Sequence, residues 1–167
     1  MSTAAVLHAP THASSHAHDP LRALEDELLA MPPVVAMGLR VAGLDGEGRL
    51  RLRAPLSANI NDKGCAFGGS LTSLLTLAGW GLISLRLAEA GLEADVFVAD
   101  SEIRYRAPLY SDLEAVAELA EGESWSTFLD TLRSRGRARL AVQATVPLPE
   151  GGVATGSRSR YAAILKR

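Results

Sequence analysis

From Phe67 to Leu85 the chain carries no charged residue, and the run continues to Arg86 without a proline. A helix that is apolar on most sides cannot lie on a surface with one buried stripe; it must be surrounded, by lipid or by protein. The run is long enough to cross a bilayer. However, it holds Gly68, Gly69, Gly79 and Gly81 together with Ser70, Thr72, Ser73, Thr76 and Ser84, and strand-like segments follow it closely. A buried central helix over about 70–90 is the expectation, with Ser70 as its cap and Gly91 as its stop. Gly79 and Gly81 would each weaken a free helix by about 1 kcal/mol relative to Ala. Close approach of a sheet or a second helix would explain them.

The segments around this helix alternate as strands do. Leu50, Leu52 and Ala54 alternate with Arg49, Arg51 and Arg53 after the turn Asp45-Gly46-Glu47-Gly48. Further strands are expected over 94–106, 113–119, 138–146 and 153–165, and one more over 34–42. Asp19 caps a first helix with Pro20 at its first turn, and Leu21, Leu24, Leu28 and Leu29 form its apolar face. A short helix follows Ser124, with Trp125, Phe128, Leu129 and Leu132 on one side and Gly136 at its end. Strands outnumber helices, and helix and strand do not alternate regularly. The fold class is therefore α+β, a mostly antiparallel sheet curled around one helix.

At 167 residues the chain suits one core, with 47% hydrophobic and 22% charged residues. Residues 1–19 show no hydrophobic period and hold all four histidines, His8, His12, His16 and His18. They are expected to form a disordered tail, and residues 20–167 the domain. A net charge of −2 argues against nucleic acid as a partner. The N-terminus lacks the basic start and apolar stretch of a secretory leader, and Cys65 is the sole cysteine. Both point to the cytoplasm, with no membrane partner.

The chemistry concentrates at residues 61–70. A polar loop runs through Gly68-Gly69 into the helix, which would leave the first helical N–H groups unpaired and facing a ligand. Such amides can hold an anion or the oxyanion of an acyl-transfer intermediate. No Gly-x-Ser-x-Gly elbow, phosphate-binding P-loop, dinucleotide fingerprint or zinc-type cysteine pair is present. Neither a cofactor nor a metal is called for. With no histidine in the domain, Cys65 reads as a lining or structural residue rather than a nucleophile.

The stretch Asn61-x-x-Gly64-x-x-Phe67-Gly68-Gly69 resembles the Asn-x-x-Gly-x-x-His-Gly-Gly loop of hotdog-fold acyl-CoA thioesterases. Residues 99–108, Ala-Asp-Ser-Glu-Ile-Arg-Tyr-Arg-Ala-Pro, resemble the strand after the central helix in that superfamily. More narrowly, Phe67-Gly68-Gly69-Ser70-Leu71 with Leu77-Ala78-Gly79-Trp80-Gly81 is similar to the YiiD C-terminal-type thioesterase family. The likeness covers roughly residues 21–165.

This resemblance implies a hotdog domain, a curved antiparallel sheet wrapped around the central helix. It implies a homodimer or dimer of dimers with sites at the subunit interface. The implied reaction is hydrolysis of an acyl thioester carried by coenzyme A or acyl carrier protein. Gly68 would supply an oxyanion-hole N–H, and Asn61 with Thr76 would orient water. Phe67, Gly69, Ser70, Arg104 and Arg106 would contact substrate, the arginines through phosphates or an acidic carrier. Two departures stand out. Phe67 occupies the usual histidine position and cannot move a proton. Thr76 occupies that of the usual helix acid, and its hydroxyl is too weak a base at neutral pH. Asp62, Asp100 and Glu102 are the remaining acids, with Asp100 of a partner subunit the preferred base. The missing acid and histidine also fit a non-catalytic acyl-thioester-binding domain, and they weigh against a hotdog dehydratase.

Overall fold

The computed structural model describes residues 19–166; the histidine-bearing segment 1–18 lies outside them, and with it the expectation of a disordered tail. The alternating segments form six strands: β1 Arg40–Leu44, β2 Leu50–Ala54, β3 Ala94–Tyr105, β4 Leu113–Leu119, β5 Arg137–Pro147 and β6 Val153–Leu165. All pair antiparallel in one curved sheet of order β1-β2-β4-β5-β6-β3, which leaves β3 at an edge. The helices are α1 Pro20–Leu29, α2 Pro32–Ala36, α3 Gly68–Glu89 and α4 Trp125–Arg135. This is the hotdog arrangement expected from the sequence, with α3 inside the curve of the sheet.

Helix α3 passes a membrane-span test on length and composition, with a mean hydropathy of 1.4. Its apolar side chains are nonetheless consumed by protein. Leu71, Leu74, Leu75, Ala78, Leu82, Ile83, Leu85 and Leu87 are all buried with the inward residues of β2, β4, β5 and β6. Both internal glycines mark close approaches. A Cβ at position 79 would lie 2.9 Å from Tyr161 Cζ on β6, and one at 81 would lie 2.9 Å from Leu50 and 3.3 Å from Leu24. Sheet and α1 therefore press on the helix where the sequence omits side chains.

Two local expectations are corrected. The strand anticipated from Val34 begins only at Arg40, because Pro32 and Pro33 start the short helix α2 instead. Proline's fixed φ suits a first helical turn, and Val34 is buried in the core; Gly38, at φ +64, then turns the chain into β1. Helix α3 also starts two residues early. Its N-cap is Phe67, with no side-chain cap, and Ser70 lies buried within the first turn.

Register decides which residues meet the helix. In β6, Thr155, Ser159, Tyr161 and Ala163 are buried toward α3, while Arg158 and Arg160 face outward. Strand β3 follows β6 with Val96 opposite Ala163 and Val98 opposite Tyr161, then shifts by one residue before Asp100. This bulge exchanges the faces of β3. Beyond it Ser101, Ile103 and Tyr105 pair with the inward row Ser159, Ser157 and Thr155, whereas Asp100, Glu102 and Arg104 pair with outward or intervening positions.

Candidate functional site at the start of the central helix

The loop before α3 is held by its own polar groups. Asn59 is buried, its Nδ2 donates to the carbonyls of Met37 and Pro55 at 2.8 Å each, and its carbonyl accepts from Phe67 N at 2.7 Å. Asn61 closes the tip. Its N donates to the Cys65 carbonyl at 2.8 Å, and its Oδ1 accepts from Lys63 N at 2.8 Å and Cys65 N at 3.2 Å. Gly64 completes the reversal at φ +78, a conformation that side chains disfavour. Ala66 N donates to the Leu109 carbonyl at 2.8 Å, which ties the loop to the segment following β3.

The chain then enters α3 with no side-chain cap, and among the described residues no group accepts from the N–H of Gly68, Gly69 or Ser70. The first bonded amide is that of Leu71, to the Phe67 carbonyl at 3.0 Å. Three donors at the positive end of a helix are therefore left for something else. Gly69 is covered by the Phe67 ring, whose Cζ would lie 2.9 Å from a Cβ there. Gly68 is different. Tyr105 stands beside it at ordinary contact distance, with Cε1 3.4 Å from a Cβ at position 68. The Tyr105 hydroxyl donates to the Gly68 carbonyl at 3.1 Å and meets Thr72 Oγ1 at 2.5 Å.

A cavity of about 350 Å³ opens at this point. Its apolar walls are Ala66, Leu71, Ala107 and Pro108, and its polar ones Gly68, Tyr105, Arg106 and Thr155. No carboxylate, imidazole or thiol among the described residues lines it. Arg106 also lines a second cavity of about 350 Å³ on the outer face, with Arg104, Arg158, Glu102 and Gln143. Arg104 is paired with Glu102 at 2.7 Å, while Arg106 and Arg158 have no carboxylate partner among the described residues. Arg106 thus borders both cavities, the pocket beside Gly68 and the basic groove.

Of the residues singled out from the sequence, the structure gathers Gly68, Gly69, Ser70 and Phe67 at the helix start, with Arg106 beside the cleft and Arg104 in the outer groove. Asn61 is engaged in closing its loop. Thr76 lies two turns along α3, where its carbonyl accepts from Tyr161 Oη at 2.8 Å. Asp100 is not brought to the cleft. It points outward with Arg160 Nε at 2.8 Å, and that guanidinium holds its carboxyl below the ordinary carboxylate range. Glu102 and Asp62 are likewise exposed and paired, with Arg104 and Lys63. Cys65 is buried, with its sulfur 3.2 Å from Asn61 Nδ2.

Sequence reasoning missed Asn59, Thr72, Tyr105 and Thr155. The inward alternation of 153–165 could have placed Thr155 on the helix side, but nothing in its residue type marks it out. Tyr105 sits within the recognised strand motif, yet its facing depends on the bulge.

The comparisons agree with the fold. Residues 22–163 match the model of the family described as "Putative thioesterase (yiiD_Cterm)". A protein of unknown function from Chlorobaculum tepidum is 29% identical, with a TM-score of 0.80 over 87% of this chain and 94% of its own. A "putative thioesterase" from Shewanella oneidensis is 25% identical, with a TM-score of 0.76 over 87% of this chain and 97% of its own. A thioesterase from Haemophilus influenzae shares the fold at 20% identity and a TM-score of 0.66, over 87% of this chain and 90% of its own. An uncapped helix start beside a cleft, inside a hotdog sheet, is thus found in a chain that belongs to the YiiD C-terminal thioesterase family.

Proposed function

We propose that the protein hydrolyses acyl thioesters of coenzyme A or acyl carrier protein in the cleft beside Gly68, at the interface of a cytoplasmic homodimer. Family membership supports thioester hydrolysis in general; the carrier, the dimer and the compartment are our reading. One observation carries it: a cavity of about 350 Å³ is lined by Gly68, whose N–H no atom of the described residues accepts from. An oxyanion forming on the thioester carbonyl would meet the Gly68 N–H at the positive end of α3, without a reorganisation cost at the moment of reaction. Arg106 borders the cleft and, with Arg104, lines the outer groove, suited to the phosphates of coenzyme A or of a carrier's phosphopantetheine.

The dimer is supported by the edge strand β3. It is 12 residues long, unpaired on its outer side among the described residues, and exposes Phe97 and Val98 at 55% and 48%. Long edges that show apolar side chains are ordinarily covered. On this reading Asn61 acts by shaping the loop, Thr76 orients water, and a proton acceptor is contributed across the interface. Asp100 suits that last role poorly, since its pairing with Arg160 makes it a weaker base.

The absence of any carboxylate, imidazole or thiol among the described lining residues favours a second reading, an acyl-thioester-binding domain without turnover. Free-thiol release across short, long and aromatic acyl-CoAs and an acyl carrier protein separates the two. Catalytic release supports hydrolysis. Saturable binding without release establishes the second reading, and neither binding nor release refutes both. Activity in a species that sedimentation shows to be monomeric would refute the interface site.

A further inference from the structure

Positive charge without a partner gathers on one face of this protein. Strands β5 and β6 contain no acidic residue, and those of β3 are all engaged: Asp95 with Lys166, Asp100 with Arg160 and Glu102 with Arg104. Arg137 and Arg139 of β5 stand opposite Ile164 and Ala162 of β6, and Gln143 stands opposite Arg158, so these side chains share the outer face of the sheet. Arg106, Arg135, Arg137, Arg139 and Arg158 are exposed, and none makes an ion pair among the described residues. They gather at two hollows. Arg106 and Arg158 line the groove of about 350 Å³ already described, while Arg135, Arg137 and Arg139 line a larger one of about 760 Å³ together with Ala162 and Ile164. Arg158 and Ile164 are six positions apart on β6, which separates the hollows by about 20 Å at about 3.3 Å per residue. On the next strand, β4, Glu118 accepts from Gln143 Nε2 at 2.7 Å, and the face keeps a clear excess of positive charge in a chain whose net charge is −2.

We propose that this face docks an acidic acyl carrier protein, and that the carrier-linked thioester is the preferred substrate of the cleft. This rests on the thioester reading of the cleft and names the carrier that the reading leaves open. A ligand the size of a diphosphate is satisfied by the near groove alone. It leaves the far hollow and its three arginines without a use. A folded domain of about 100 residues has a radius of gyration of about 13 Å and so spans both hollows. Its carboxylates meet separate guanidinium groups, and Ile164, 49% exposed, offers an apolar contact among them. Complementary charge steers encounter and fixes orientation, and a carrier must be oriented to aim its arm at the cleft that Arg106 borders. A second copy of this chain suits the face less well, because a two-fold contact sets the stripe against itself, positive against positive.

The test uses the full chain and a triple variant, Arg135→Gln with Arg137→Gln and Arg139→Gln, whose side chains line neither the cleft nor the near groove. Each protein is given one acyl group on coenzyme A and the same group on a holo acyl carrier protein. The parent should prefer the carrier-linked substrate. In the variant KM for that substrate should rise about 10- to 100-fold, with kcat and KM on acyl-CoA and the unfolding temperature unchanged. Raising the salt from about 50 to about 300 mM should bring the parent's carrier affinity toward the variant's. Arg137→Gln alone should lose less in the same direction, and it carries the test where the triple variant does not fold. Equal carrier kinetics in parent and variant, or a parent that prefers acyl-CoA, would overturn the assignment. So would equal losses on both substrates, which would mean that the arginines serve the fold or the cleft. Tighter binding of a short single-stranded DNA than of the carrier would overturn it too, as would a change in sedimentation with carrier affinity intact. If the parent cleaves neither substrate yet calorimetry shows carrier binding that the variant lacks, hydrolysis is refuted and the docking face stands. No binding and no release would remove both.

Discussion

Gly79→Ala tests the packing that holds the helix in place. A methyl at position 79 would point at β6, 2.9 Å from Tyr161 Cζ and 3.0 Å from Cε2, with the hydroxyl nearer still. The ring cannot move aside freely. It is 1% exposed, and its hydroxyl donates to the Thr76 carbonyl at 2.8 Å. Alanine would favour the helix by about 1 kcal/mol over glycine. Against this stand overpacking, typically about 1–3 kcal/mol, and the displaced hydroxyl's hydrogen bond, worth about 1 kcal/mol. A net loss of about 2 kcal/mol follows, roughly 4–8 °C in Tm for a chain of this size. Urea unfolding followed by circular dichroism at fixed protein concentration reads it. Tyr161→Phe removes the nearest atom, so Gly79→Ala should cost at least about 1 kcal/mol less in that background. Gly79→Ala as stable as the parent, or no coupling with Tyr161→Phe, would refute the close approach as the reason for glycine.

Gly68→Ala is the contrasting case. Its methyl meets Tyr105 only at ordinary contact distance, so stability should hold or rise by up to about 1 kcal/mol, while the methyl intrudes on the cleft and raises KM in the thiol-release assay. Burial pushes the Tyr161 hydroxyl up to about 12 from its ordinary 10. Below pH 10 both folded and unfolded chains keep this proton, so its contribution is intact; between 10 and 12 only the unfolded chain releases it, and stability is lost. The stability difference between parent and Tyr161→Phe, measured by urea unfolding from pH 9 to 12, should shift against the parent by roughly 2–3 kcal/mol. A difference that stays flat across this range would show that Tyr161 titrates normally.

Much of the architecture was already legible in the residue pattern. An uncharged run from Phe67 to Leu85 admits few outcomes besides a surrounded helix. Two-residue alternation around it specifies strands, which is why 113–119 and 153–165 come out with the observed ends. Helix α4 was equally readable, from the Ser124 cap to Gly136 in the left-handed conformation. These signals are local: a period, a cap and a stop each act within a few residues. The Gly68-Gly69 helix start was visible for the same reason.

What the tertiary structure alone decided was non-local. Strand order and the exposed edge of β3 follow from pairings between residues far apart in sequence. A single bulge near Ala99 turned Asp100 away from the helix and Tyr105 toward it, and no local preference announces such a shift. Prolines 32 and 33 began a helix once Val34 had a core to enter. Thr155 is the sharpest case. An ordinary threonine in a strand becomes chemically notable only when folding buries its hydroxyl with no partner among the described residues, because an unmet hydrogen bond belongs to a place rather than to a residue type.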